Sequence, residues 1–157
     1  MVANIGIKSE NLSTVAKSLS QILADEFVLY TKTRNAHWNV EGPDFAAMHK
    51  FFEHQYETLD ETMDEVAERL RMLGHYAPGT LQDILKLTRL TEESRKKNDS
   101  KGFISELLED HESIITLLRG LITPLAEEQK DFGTSDFITG LMQTHEKMAW
   151  MLRAHLK

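Results

Sequence analysis

The sequence predicts an all-α protein, a four-helix bundle, on three observations. Four long stretches repeat apolar residues at helical spacing, and no stretch alternates as a strand would. Proline occurs only at Pro43, Pro78 and Pro124, so most of the chain is free of helix breakers. A connection of about 25 residues separates the second and third helices, the kind of long crossover that one family of bundles uses.

The first helix is expected from Ser9 to Asn39, where Val15, Leu19, Ile22, Phe27, Tyr30 and His37 fall close to one face. Val40-Glu41-Gly42-Pro43 ends it, because glycine and proline both interrupt helical continuation. Pro43 or Asp44 opens the second helix, whose stripe is Phe45, Met48, Phe52, Tyr56, Leu59, Met63, Val66 and Leu70. Gly74 closes it, and Pro78-Gly79 turns the chain. Within the connection, residues 80–85 are expected to form a short extra helix, while residues 92–100 read as an exposed polar run. The third long helix spans about Gly102 to Glu128, with Pro124 near its end. The fourth is expected to start after Thr134-Ser135-Asp136, capped by Thr134 or Ser135, and to reach about His155.

A chain of 157 residues reads as a single domain, 1–157, with 1–10 as a short N-terminal tail. No apolar run approaches the roughly 20 residues that cross a bilayer. The start lacks the basic and long apolar regions of a signal peptide, so a cytoplasmic protein is expected. The absence of cysteine excludes disulfides, thiolate metal sites and iron–sulfur clusters. A formal net charge of −7 disfavours a body built to grip nucleic acid and suits one that attracts cations.

Chemistry concentrates in His37, His49, Glu53, Asp64 and Glu68. His49 and Glu53 share one face of the second helix at a spacing of four, and Asp64 and Glu68 do the same. Yet His49 and Glu68 stand about 28 Å apart along a helix axis, and a transition metal holds its ligands at about 2 Å. Two copies of the helix can solve this. Packed antiparallel and crossing near Thr58 and Leu59, they bring His49 and Glu53 of one chain to Asp64 and Glu68 of the other, and a two-fold axis makes that site twice. His37 reaches His49 because a tight turn joins their helices. Mixed imidazole and carboxylate ligands suit iron or another first-row divalent ion. The plainer alternative is strong for any one residue. A helical histidine is usually a surface or core residue, and among 25 acids chance pairs abound; Glu57, Asp60, Glu61 and Glu65 are given no role.

The residues His37-Trp38-Asn39-Val40-x-Gly42, then Phe45, His49, Glu53, Asp64-x-x-x-Glu68-Arg69 and Leu73-Gly74, together resemble the signature of the Dps family, the DNA-protection-during-starvation proteins. The resemblance runs the whole length, including the long connection and Trp150. It implies a ferritin-like bundle assembled as a homo-dodecamer with two-fold dimer interfaces. It further implies oxidation of ferrous iron by hydrogen peroxide, storage of ferric mineral inside, and protection of the cell and its DNA from oxidative damage. Its iron ligands fall on His37, His49 and Glu53 of one chain and Asp64 and Glu68 of its partner, holding two ions per site at most. Many members carry Asp where Glu53 stands. Trp38 occupies the place of an aromatic near the iron, with packing as its simpler role. Acids lining a three-fold pore in the family match Asp136, and less closely Asp131; for Asp136 the simpler role is a helix cap. Members that bind DNA directly often use a lysine-rich tail, whereas residues 1–10 carry only Lys8. The cluster Arg95, Lys96, Lys97 and Lys101 is interspersed with acids. Tight DNA binding at neutral pH is therefore not expected, although association with the nucleoid remains the alternative location.

Two other readings compete with this one. A conventional di-iron site inside one bundle uses Glu-x-x-His, and no histidine here has an acid three residues before it. A non-catalytic protein that only coats DNA or displays a surface would have no need of five ligand-type residues.

Overall fold

The computed structural model describes residues 3–92 and 97–157. Its order is α1 (Ser9–Asn39), α2 (Phe45–Met72), α3 (Leu81–Leu87), α4 (Ser100–Glu127) and α5 (Phe132–Ala154). Among the described residues there is no strand, only an isolated bridge between Glu41 and Asp99. The bundle with a short helix in its crossover is what the sequence predicts. Residues Arg95 and Lys96 of the expected basic cluster lie outside the described residues.

Each long helix turns an apolar stripe inward. Leu19, Ile22 and Leu29 of α1 meet Phe52, Leu59 and Leu70 of α2, with Ile114 and Leu118 of α4 closing the core; all are essentially inaccessible. Truncating a side chain such as Phe52 to Ala in such packing costs about 3–5 kcal/mol. α1 and α2 lie side by side, α4 and α5 form the second pair, and α3 rests on α1.

Polar groups then fix how the elements sit. Asp25 is fully buried, and its carboxylate accepts from the Thr88 hydroxyl (2.9 Å), the Arg89 amide (2.7 Å) and the Arg89 guanidinium (2.9 Å). These bonds tie the end of the α3 segment to the middle of α1. Lys32 bridges α1 to α4, with its ammonium 2.5 Å from Asp110 and 3.0 Å from Glu106, and it also donates to the Thr91 carbonyl at 2.9 Å. At the far end, the Glu41 amide donates to the Asn98 carbonyl (2.9 Å), and Ser100 donates to Asp44 (2.6 Å). The α1–α2 turn is thereby fastened to the start of α4.

The start of α5 corrects the sequence reading. The cap is neither Thr134 nor Ser135 but Asp131, whose carboxylate accepts from the Thr134 amide at 2.9 Å and the Thr134 hydroxyl at 2.6 Å. Gly133 therefore lies within the first helical turn. A Cβ there would come within 2.9 Å of the Arg69 guanidinium, so a side chain at this position would push that guanidinium aside.

Candidate metal centre

A five-residue turn, 40–44, joins the end of α1 to the start of α2 and places His37 against His49. Their rings stack with centroids 3.7 Å apart and planes inclined by 23°. A crossed pair of hydrogen bonds holds them. His37 Nδ1 donates to the His49 carbonyl at 2.7 Å, and His49 Nδ1 donates to the His37 carbonyl at 2.8 Å. A carbonyl can only accept, so both rings must carry their hydrogen on Nδ1. In the neutral ring this tautomer leaves the lone pair on Nε2, the form in which imidazole binds a metal.

Aromatic side chains wall the pair. Tyr56 stands edge-on to His37 at 5.2 Å, and Phe45 lies 5.2 Å from His49. The Arg34 guanidinium sits 4.3 Å from the Tyr56 ring centroid, 5.2 Å from Trp38 and 5.7 Å from Tyr30. Trp38 itself is 62% exposed, a large apolar surface beside a nearly buried histidine. Glu53 follows His49 by one turn of α2 and is half-buried. Asp64 and Glu68 occupy the distal half of α2 and are exposed.

Thus the chain brings His37 and His49 together and leaves Asp64 and Glu68 at a distance from them. Among the described residues no three His, Asp or Glu side chains converge closely enough to hold an ion. The candidate ligands thus fall into two groups, His37, His49 and Glu53 around the α1–α2 turn and Asp64 and Glu68 further along α2.

Residues 16–157 match the ferritin-like domain. A low temperature-induced protein of Nostoc is 41% identical over 98% of this chain and 86% of its own length. The DNA protection during starvation protein of Helicobacter pylori is 38% identical over 88% of this chain and 95% of its own. The chain belongs to the Dps group of ferritin-like proteins. A solved Dps structure from Vibrio cholerae, described as a member of the ferritin-like diiron-carboxylate superfamily, superposes with a TM-score of 0.92 at 30% identity. That match covers 99% of this chain and 97% of the other.

The two acids matched to the Dps pore have different surroundings. Asp131 is only 2% exposed and is engaged by Thr134 and by Arg69, whose guanidinium lies 3.2 Å away. Its carboxylate serves the helix start. Asp136, one turn further along α5, is exposed and is not the cap. No helix among the described residues is long and apolar enough to cross a membrane.

Sequence reasoning missed a second polar cluster, in the middle of the bundle. Glu26, His111 and His145 are all buried, and His145 bonds to both others. Each occupies a core-facing register position on its helix, where the pattern alone suggested only apolar packing. Gln55 of α2 is also buried, and its amide finds no hydrogen-bond partner among the described residues.

Proposed function

We propose that this Dps protein oxidises ferrous iron with hydrogen peroxide and stores the ferric product inside a hollow homo-dodecamer, protecting DNA from oxidative damage. Each site takes His37, His49 and Glu53 from one copy and Asp64 and Glu68 from a second copy related by a two-fold axis. The observation that carries this reading is the crossed hydrogen bonding of His37 and His49. It sets both imidazoles in the metal-binding tautomer, while the carboxylates that would complete the site lie too far along α2 to belong to the same copy. Antiparallel α2 helices give a self-complementary interface in which each site's missing half is supplied by the other chain.

The substrate is ferrous iron, two ions per site at most. Peroxide takes one electron from each of two ferrous ions and two protons from solution, giving two ferric ions and two waters. Delivering both electrons together avoids release of hydroxyl radical. The imidazoles hold the ferrous state, and the carboxylates stabilise the higher charge of the ferric state. Trp38 and Phe45, exposed beside the histidines, become covered by the second copy in this arrangement. Asp136 lines the route by which ferrous ions enter, with Asp131 holding the start of α5 in place.

Stopped-flow oxidation of ferrous iron by peroxide on the purified assembly tests the activity, with light scattering for the assembly. A mass near 12 × 18 kDa and a rate that falls at least about tenfold in Glu68→Ala, as loss of an anionic ligand to the product requires, are expected. A stable monomer that oxidises iron at full rate would overturn the inter-subunit site.

A further inference from the structure

At the centre of the bundle three ionisable side chains from three helices form a closed chain. Glu26 of α1 accepts from His145 Nε2 of α5 at 2.7 Å, and His145 Nδ1 faces His111 Nδ1 of α4 at 2.9 Å. Glu26 and His145 are fully inaccessible and His111 is 1% exposed. The second Glu26 oxygen has no hydrogen-bond partner among the described residues. This cluster lies apart from the metal centre and its role does not depend on that assignment.

The geometry limits how many protons the chain can carry. Only one hydrogen fits between two nitrogens 2.9 Å apart, so one histidine donates there and the other must accept. With His145 Nε2 donating to Glu26, its neutral ring accepts at Nδ1 and His111 donates from Nδ1. A proton added to His145 Nδ1 would set two N–H groups face to face, and one added to His111 Nε2 would leave a charge on a side chain only 1% exposed. Few other groups could offset the added charge. α1 offers Glu26, already bonded to His145, and Asp25, already bonded to Thr88 and Arg89, while its buried Lys32 is itself a cation, bonded to Asp110 and Glu106. α5 offers only His145 itself among its buried residues, and the buried face of α2 carries Gln55 and Thr62, which are neutral. On α4 itself, Asp110 is held by Lys32 and the exposed Glu112 by Arg153.

We propose that the Glu26–His145–His111 chain makes the bundle acid-labile, loosening the α1–α4–α5 core when a charging proton is forced onto the neutral histidine pair. Burial, and secondarily the neighbouring His145, holds His111 well below the usual histidine range. The unfolded chain protonates this residue below about pH 6.5 while the folded one does not. Stability therefore falls as pH drops through that value and goes on falling until the folded-state range is reached. A single proton bound only by the unfolded state changes the folding equilibrium by about tenfold per pH unit.

The test compares denaturant unfolding of the intact assembly at pH 7.5 and 5.5, for wild type and His111→Asn, whose amide takes the place of Nδ1 without titrating. Wild type should lose about tenfold more of its folding constant across that interval than the variant, which follows from one titrating site. Equal losses in both would overturn the proposal. Should the variant fail to assemble, wild-type protein labelled at histidine Cε1 decides by NMR. A His111 resonance that stays unprotonated down to pH 5.5 supports the proposal, and one that titrates at pH 6 or above refutes it.

Discussion

His37 and His49 hold each other by their backbones: each ring donates its Nδ1 hydrogen to the other's carbonyl, at 2.7 and 2.8 Å, while the rings stack at 3.7 Å. The contact locks the last turn of α1 to the first turn of α2 and at the same time fixes two tautomers. Fold and site are thus joined through the same two bonds. Neither imidazole can be replaced without releasing the other.

That coupling sharpens a mixing experiment. His49→Ala and Glu68→Ala each break every site in a uniform assembly on the inter-subunit reading. A dimer of one of each contains one intact and one doubly broken site, since the histidines of one chain meet the acids of the other. Random reassembly of equal amounts should restore roughly a quarter of the wild-type ferrous oxidation rate, because half the dimers are mixed and each has one good site. If mixtures oxidise iron no faster than the separate variants, both residues belong to one chain's site.

The Lys32 bridge gives a prediction about stability and its pH dependence. Burial raises Asp110 above the usual carboxylate range, and Lys32, which acts in the opposite direction, only partly offsets this. For Lys32, burial works against the charged form, but hydrogen bonds and attraction from Asp110 and Glu106 outweigh it and the net shift is upward. Lys32→Met should destabilise the bundle by about 3 kcal/mol near neutral pH, since it strands a buried carboxylate. An Asp110 with a raised folded-state value takes up a proton more readily when folded than unfolded. The penalty in Lys32→Met should therefore shrink as pH falls towards the carboxylate range, and urea midpoints at pH 7.5 and 4.5 measure it. In wild type the Lys32 contribution is complete below pH 10.5 and is lost only as pH rises through its higher folded value. A penalty that is the same at both acid and neutral pH would count against a charged Asp110 as its source.

How much of this was legible in the sequence depends on how local the cause is. The end of α1 was readable because Gly42-Pro43 acts within the chain's nearest neighbours, and Gly42 adopts a φ of 133° in that turn. The nearness of His37 to His49 follows from the same turn; their crossed bonds do not, since backbone carbonyls leave no mark in a sequence. The start of α5 was misplaced because Thr134 to Asp136 are three cap-type residues in a row, while Asp131, the true cap, is held by Arg69, which stands 62 positions earlier in the sequence. The buried acids were invisible for the same reason. Asp25 and Glu26 carry no local mark of burial, because Arg89 and His145, which fold onto them, lie 64 and 119 positions away.

DNA binding offers a test of surface charge. With a formal net charge of −7, the protein should bind duplex DNA weakly at neutral pH, because affinity for phosphates depends on releasing counterions to many cations. Gel shifts at physiological salt should show no complex at micromolar protein, near the non-specific range. A tight complex that weakens steeply with salt would mean that local cationic patches outweigh the overall charge.

Asp131 and Asp136 should separate cleanly into a stability residue and a transport residue. Asp131 is buried, caps α5 through Thr134 and pairs with Arg69, so Asp131→Ala removes a cap and leaves a partly buried guanidinium without its carboxylate. Cap loss alone costs about 1 kcal/mol, and loss of the charged partner adds to it, for a total of roughly 2–3 kcal/mol. Asp136 is exposed and makes no cap, so Asp136→Asn should leave the unfolding midpoint within about 0.5 kcal/mol of wild type. If Asp136 lines the entry route, three symmetry copies lose three charges together, and iron uptake slows although the oxidation site is untouched. Uptake into the mineral core and oxidation of a small, sub-stoichiometric iron addition both report delivery. Asp136→Asn should slow both in proportion, because delivery precedes chemistry, and raising the ferrous concentration should recover the rate. An unchanged uptake rate in Asp136→Asn would remove the entry role and leave Asp136 as a solvated helix residue.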